Sequence, residues 1–175
     1  NVDFSFNPGA GADDTIWSIA LSSDGTVIAG GQFETFNHYP RTYVARLDSS
    51  GNVDLAFDTS DLELDGIVRT VALQNDGKIM IGGEFTTVNG VPRSHIARLN
   101  TDGSLDTSFN PGLGANDTVY KVLVQPDGHI LVAGAFTQFH TAIHHGLTRL
   151  QASGALDPSF NPGIGANDVV YTAFF

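Results

Sequence analysis

Residues 119–136 read VYKVLVQPDGHILVAGAF. Apolar and polar side chains alternate on either side of Asp127-Gly128. A period of two puts every second side chain on one face of a strand. Asp-Gly between two such runs is the strongest short-range hairpin signal, and it predicts a type I′ turn whose positive φ angles match strand twist. The stretch is one antiparallel hairpin, and it is not alone. Residues 16–22 and 26–33 flank Asp24-Gly25, and residues 68–74 and 78–85 flank Asp76-Gly77, in the same pattern.

A copied hairpin calls for a search for the period. The motif Asp-x-x-Phe supplies it, at Asp3/Phe6, Asp54/Phe57, Asp106/Phe109 and Asp157/Phe160, with steps of 51, 52 and 51 residues. Asn-Pro-Gly-x-Gly-Ala follows the Phe at 7–12, 110–115 and 161–166. After each hairpin come a loop and a short run ending in Arg-Leu, at 43–47, 95–99 and 146–150. No segment shows helical spacing. Each unit therefore reads as three strands plus a short fourth at Asp-x-x-Phe, the size of one β-propeller blade. The expected architecture is an all-β single repeat domain of four-stranded antiparallel blades at 1–51, 52–103 and 104–154, with a partial fourth at 155–175. Three units do not close an ordinary ring, so an arc is expected, completed by further blades of a larger parent chain or by other copies. The pairs Gly30-Gly31 and Gly82-Gly83 mark strands that neighbouring backbone approaches closely.

Phe109-Asn-Pro-Gly-Leu-Gly-Ala-Asn-Asp, Gln125-Pro-Asp-Gly-His-Ile-Leu-Val-Ala-Gly-Ala-Phe-Thr and the run from Phe85 to Asp106 resemble the delta-60 repeats of large bacterial proteins. The resemblance covers essentially the whole chain. It implies propeller blades in secreted or surface proteins, and it implies no catalytic residue.

Composition narrows the partners. Nineteen acidic side chains against 8 basic ones leave a net charge of -11, which repels nucleic acid and anionic membrane surfaces. There is no Cys, so disulfide and thiolate chemistry are excluded. No apolar run approaches the roughly 20 residues of a membrane-spanning helix.

Residues present in every unit serve the unit first. Arg46, Arg98 and Arg149 each precede Asp54, Asp106 and Asp157 by eight residues. A turn between them brings guanidinium and carboxylate into bidentate reach, and a structural ion pair is expected. Residues that break the repeat are the ligand candidates. Asp61-x-Glu63-x-Asp65-Gly66 resembles the opening of a calcium loop, although the position of the closing Glu holds Ala72. A solvated acidic insertion is the favoured reading, with a calcium site at Asp61, Glu63 and Asp65 the alternative. His140, His144 and His145 offer three imidazoles to a transition metal, or form a degenerate loop in which His144 takes the place of Arg41 and Arg93. Trp17 shares its place in the repeat with Tyr120 and Tyr171, and with His38 and Tyr39 it offers a sugar-stacking platform. Asn116-Asp117-Thr118 is a glycosylation sequon. No nucleophile elbow, His-Glu-x-x-His or phosphate loop occurs.

These features favour a non-catalytic module for assembly or adhesion, extracellular or at a bacterial cell surface, whose partners are protein copies or blades. A carbohydrate- or calcium-binding lectin-like module is the alternative, with glycans as partners. An enzyme with its site at a propeller centre stands behind both. No cofactor is expected, calcium apart.

Overall fold

The computed structural model describes residues 5–174. Asp3 of the first Asp-x-x-Phe motif and Phe175 of the last apolar run lie outside the described residues. The fold is all-β, without a helix among the described residues. Unit one holds β1 (Ile16–Leu21), β2 (Val27–Gly31), β3 (Thr35–Phe36), β4 (Tyr39–Pro40) and β5 (Val44–Leu47). Unit two holds β6 (Val68–Leu73), β7 (Ile79–Gly83), β8 (Thr87–Val88), β9 (Val91–Pro92) and β10 (Ile96–Leu99). Unit three holds β11 (Val119–Val124), β12 (Ile130–Gly134), β13 (Gln138–Phe139), β14 (Ala142–Ile143) and β15 (Leu147–Leu150). In each unit the first, second and fifth strands form one antiparallel sheet, and the third and fourth make a separate two-stranded hairpin.

The turn at each Asp-Gly differs from the expected type I′. Ser22 N–H donates to Thr26 O at 2.8 Å, so three residues, 23–25, make the loop. Within it Gly25 alone has positive φ, at 87°. Asp24 Oδ1 accepts the N–H of Thr26 and stabilises the turn without a left-handed aspartate. Gly77 and Gly128 repeat the arrangement.

The fourth strand is likewise reduced, to one bridge per unit: Leu47 to Val53, Leu99 to Leu105 and Leu150 to Leu156. Asp-x-x-Phe itself is a turn. Phe57 N–H donates to Asp54 O, and Asp54 Oδ1 accepts the N–H of Ala56. The carboxylate satisfies the backbone locally, so strand pairing stops there.

The apolar core lies between the sheets. Ile28 and Val44 of unit one pack with Phe57, Val68, Val71, Ile79 and Ile81, and Met80 and Ile96 of unit two pack with Phe109, Val119, Val122 and Ile130. The Phe of each motif thus seals the unit that follows it. Phe6 does the same on the outward face of unit one, against Ala29, Phe33 and Leu47. Glycine makes this contact possible. A Cβ at Gly82 would meet Val119 at 2.6 Å and Thr70 at 2.8 Å, and one at Gly83 would strike the carbonyl oxygen of Ile67.

First strands of consecutive units also touch directly. Ser18 Oγ accepts the N–H of Val71, and Thr70 Oγ1 that of Val122, each at 3.2 Å. Segment 166–171 lies against unit three as 115–120 lies against unit two. Ala166 N–H donates to His145 O at 2.9 Å, and Ala115 N–H to Ser94 O at 3.2 Å. The arrangement is open and unclosed, and among the described residues no sheet covers β1 as the sheet of unit one covers β6. Ile19 is 68% and Leu21 71% exposed, whereas Val71, at the position of Ile19, is 3% exposed.

Candidate functional site

Each Arg of the eight-residue spacing meets its Asp through Nε and Oδ2, at 2.8 Å for Arg46–Asp54, 2.7 Å for Arg98–Asp106 and 2.6 Å for Arg149–Asp157. The contact is single rather than bidentate, because the rest of the guanidinium is used elsewhere. Arg46 Nη1 donates to Thr101 O at 2.8 Å and Arg98 Nη1 to Ala152 O at 2.7 Å, both in the following unit. The three guanidinium groups sit 4.9, 5.0 and 5.1 Å from the ring centroids of Phe57, Phe109 and Phe160. Each Arg therefore ties a turn, an aromatic ring and, in units one and two, the neighbouring unit.

Asp106 and Asp157 are held ionised. Burial works against Asp106, but Lys78, Ser108 and Arg98 together keep its carboxyl well below the ordinary range. Lys78 Nζ lies 2.7 Å from Asp106 Oδ2. The N–H and hydroxyl of Ser159, with Arg149, hold Asp157 down to about 2.

The acidic insertion does not gather around a cation. Asp65 Oδ1 accepts the N–H groups of Thr86 at 2.6 Å and Thr87 at 2.8 Å, and its Oδ2 accepts the Thr86 hydroxyl. Burial would raise the Asp65 carboxyl, but these donors prevail and hold it at about 2. Asp13 Oδ1 caps Glu34 and Thr35 in unit one, and Asn116 Oδ1 caps Thr137 and Gln138 in unit three. Asp65 is thus one member of a repeated cap, and Asn116 of the sequon is another. Glu63 offers its backbone N–H to Asn89 Oδ1 at 2.8 Å, and Asp61 is exposed beside Leu62. Among the described residues no group of three or more His, Asp or Glu side chains is arranged to hold a metal ion.

The histidines diverge as well. His140 Nδ1 accepts the N–H of Leu113 at 3.2 Å, as Asn37 Oδ1 accepts that of Ala10 and Asn89 Oδ1 that of Glu63. An imidazole nitrogen has replaced an amide oxygen in the same left-handed turn, where φ is 52° at His140 and 51° at Asn89. His144 Nδ1 pairs with Thr148 Oγ1 at 2.7 Å, and burial pushes its imidazole toward the neutral form. His145 uses its backbone carbonyl to dock Ala166.

His38 and Tyr39 sit at the β3–β4 hairpin, with Tyr39 paired to Phe36, and Trp17 stacks across the unit boundary. Arg69 of the next unit lies 4.2 Å over the Trp17 ring centroid. Arg69 is fixed in turn by Glu84, with Nε to Oε1 at 2.8 Å. Tyr120 meets Tyr171 at 5.0 Å between centroids. Trp17, Arg69 and Tyr120 are the extra residues where pairing slips by one between Ile16 and Ser18, Val68 and Thr70, and Val119 and Lys121. The sequence reading grouped Trp17 with Tyr120 and Tyr171 but missed Arg69, whose place in the same column of the repeat was the available signal.

The family model described as "Domain of unknown function (DUF5122) beta-propeller" matches residues 22–57, 74–109 and 125–160. These three matches follow the three units and cover more than half of the chain. No curated protein matches. Among solved structures, the crystal structure of a protein of unknown function from Bacteroides caccae at 1.35 Å resolution is similar at 13% identity with a TM-score of 0.45. The similarity covers 79% of this chain and 46% of that one, so the chain spans less than half of that protein's length.

Proposed function

This chain belongs to the DUF5122 β-propeller family, and we propose that it is a non-catalytic interaction module that assembles through the open face of its first unit. The observation that supports this reading is the exposure of Ile16, Ile19 and Leu21 on β1. The residues in register with Ile16 and Ile19 are Val68 and Val71 in unit two and Val119 and Val122 in unit three, and all four are buried under the preceding unit. An apolar strip of this kind, left in water, favours association. Its occupant is a further unit of the same repeat, from a larger parent chain or from another copy. The two internal junctions define what such a unit presents: a Gly or Ala in the place of Gly30 and Gly82, and an aliphatic side chain in the place of Ile28 and Met80. The reading carries with it the extracellular or cell-surface location that the repeat resemblance implies.

Light scattering tests it. The chain is expected to show a mass above the monomer that rises with concentration around about 10 μM, and Ile16→Lys/Ile19→Lys is expected to be monomeric there. A monomer at every concentration, with the double variant indistinguishable from it, removes the proposal.

A further inference from the structure

We propose that His129 is a pH-sensitive latch on the Arg149–Asp157 ion pair of unit three, closed when its imidazole is charged and loosened when it is neutral. Comparison across the units points to it. The residue two places after the aspartate of each Asp-Gly turn is Thr26, Lys78 or His129. In unit two that residue joins the ion pair, where Lys78 Nζ and Arg98 Nε both lie 2.7 Å from Asp106 Oδ2. Unit one has an uncharged hydroxyl at this place. Unit three has the side chain whose charge ordinarily changes between about pH 5 and 8.

The ring stands between two carboxylates. Nδ1 lies 3.1 Å from Asp127 Oδ2, and Nε2 lies 3.7 Å from Asp157 Oδ2, the oxygen that also accepts Arg149 Nε at 2.6 Å. Nδ1 is buried, and its approach to Asp127 is close without the alignment of a hydrogen bond. A neutral imidazole carries one proton, so in either tautomer one ring nitrogen turns a lone pair toward a carboxylate. The imidazolium presents an N–H to both. Both acids stay ionised where a histidine changes charge. The backbone N–H of His129 keeps Asp127 below the ordinary carboxylate range, and Ser159 with Arg149 holds Asp157 at about 2. Arg149 repels a second cation, but Arg98 does the same to Lys78 in unit two and both contacts form there. The preceding unit contributes Asp76 and Arg98, which line with Asp127 the cleft at this end of the junction.

The latch acts on the root of the segment that docks on unit three. Asp157 O accepts the N–H of Phe160 at 3.1 Å, and the Arg149 guanidinium lies 5.1 Å from the centre of the Phe160 ring. Further along, Ala166 N–H meets His145 O at 2.9 Å. The charged ring makes contacts that only the folded chain has. Its stabilisation is therefore complete below the histidine range and fades as pH rises through it.

Thermal melts at about pH 5.5 and about pH 8, at fixed ionic strength, compare the parent with His129→Gln and His129→Lys. The remaining histidines and the β1 face are common to all three proteins and cancel in the differences. The parent is expected to melt about 2–3 °C above His129→Gln at the lower pH and level with it at the higher. His129→Lys, which copies unit two, is expected to keep its advantage over His129→Gln at both. The Phe160 amide reports where the change occurs. Its hydrogen-exchange protection is expected to fall at least about threefold in the parent between the two pH values, and to stay level in His129→Lys. If His129→Gln is not folded by circular dichroism, His129→Thr, the residue of unit one, takes its place. A parent-to-glutamine gap that is equal at the two pH values, or larger at the higher one, overturns the proposal. So does unchanged protection at Phe160, or a His129→Lys variant whose stability follows pH as the parent's does.

Discussion

Arg46 Nη1 donates at 2.8 Å to the carbonyl oxygen of Thr101, 55 residues further along the chain and in the next unit. The same guanidinium holds Asp54 in its own unit, so a single side chain fixes a turn and a unit boundary together. Arg98 repeats this with Asp106 and Ala152, and it is buried. Arg149 holds Asp157 and Ser159 but reaches no carbonyl of a following unit among the described residues.

That difference separates two otherwise identical substitutions. A lysine ammonium cannot span three directions as a planar guanidinium does. Arg98→Lys is expected to cost about 2–3 kcal/mol, since a buried carboxylate and a carbonyl lose donors, with Lys78 retained as partial compensation. Arg149→Lys is expected to cost about half as much. Urea unfolding midpoints of the two variants, measured side by side, check the order.

The glycine pair yields a second contrast. A methyl group at Gly83 meets a backbone carbonyl, that of Ile67, which cannot rotate away. At Gly82 it meets the ends of Val119, Thr70 and Val122, which can shift by small rotamer changes. Gly83→Ala is therefore expected to destabilise by about 3 kcal/mol, against about 1–2 kcal/mol for Gly82→Ala. Thermal melts resolve a difference of that size.

Acid should unfold the protein through its caps. The Asp65 carboxyl is held at about 2 in the folded chain, below its ordinary 3.8. The folded state therefore prefers the carboxylate, and the stabilisation is complete above about pH 4. As pH falls from there toward 2 the unfolded chain takes up the proton first, and stability drops. Asp65→Asn keeps the acceptor for Thr86 and Thr87, as Asn116 already does in unit three. It is expected to fold and to show a shallower loss between pH 4 and 2 in denaturation series, with the remaining slope due to the other lowered carboxyls, among them Asp13, Asp106 and Asp157.

His140 stands where two units carry Asn, accepting one N–H through Nδ1. His140→Asn is expected to change the melting temperature by less than about 2 °C, since the amide oxygen restores the acceptor. Zinc and calcium are expected to leave the melt unshifted in the parent and in this variant alike. A metal-dependent rise of several degrees, lost in His140→Asn, would reinstate a histidine site.

The repeat, the hairpins and the small residues beside each Phe were legible in the sequence because each follows from a local rule applied three times. The Asp-Gly turn was legible as a turn but not in its type, because Asp24 reaches Thr26 and needs no left-handed backbone of its own. The β3–β4, β8–β9 and β13–β14 hairpins were hidden because two-residue strands leave no periodicity to detect. Asp61, Glu63 and Asp65 looked like a cation loop because spacing cannot reveal that Asp65 is already used by Thr86 and Thr87, 21 and 22 residues away. Trp17, Tyr120 and Tyr171 were recognisable as one column, but a bulge is a property of the pairing, and Arg69 gave no aromatic signal to extend the column.

Ile19 and Val71 occupy the same place in successive first strands and live in opposite environments, 68% exposed against 3%. Val71 faces Ile28 and Val44 across the first junction, and a Cβ on Gly30 would come within 2.5 Å of it. A lysine there has no partner and no path to water, so Val71→Lys is expected to unfold the chain or to cost more than about 4 kcal/mol. Ile19 leaves its side chain in water, and Ile19→Lys is expected to change the stability of the monomer by less than about 0.5 kcal/mol. If the open face has no partner, the second variant is silent in every other measurement too. If a further blade covers it, Ile19→Lys inherits at that junction the penalty Val71→Lys has within the chain, and self-association falls by two orders of magnitude or more, on the order of 3 kcal/mol. Equal stability losses for the two variants would show instead that β1 is covered by its own chain, and the assembly face would be lost with it.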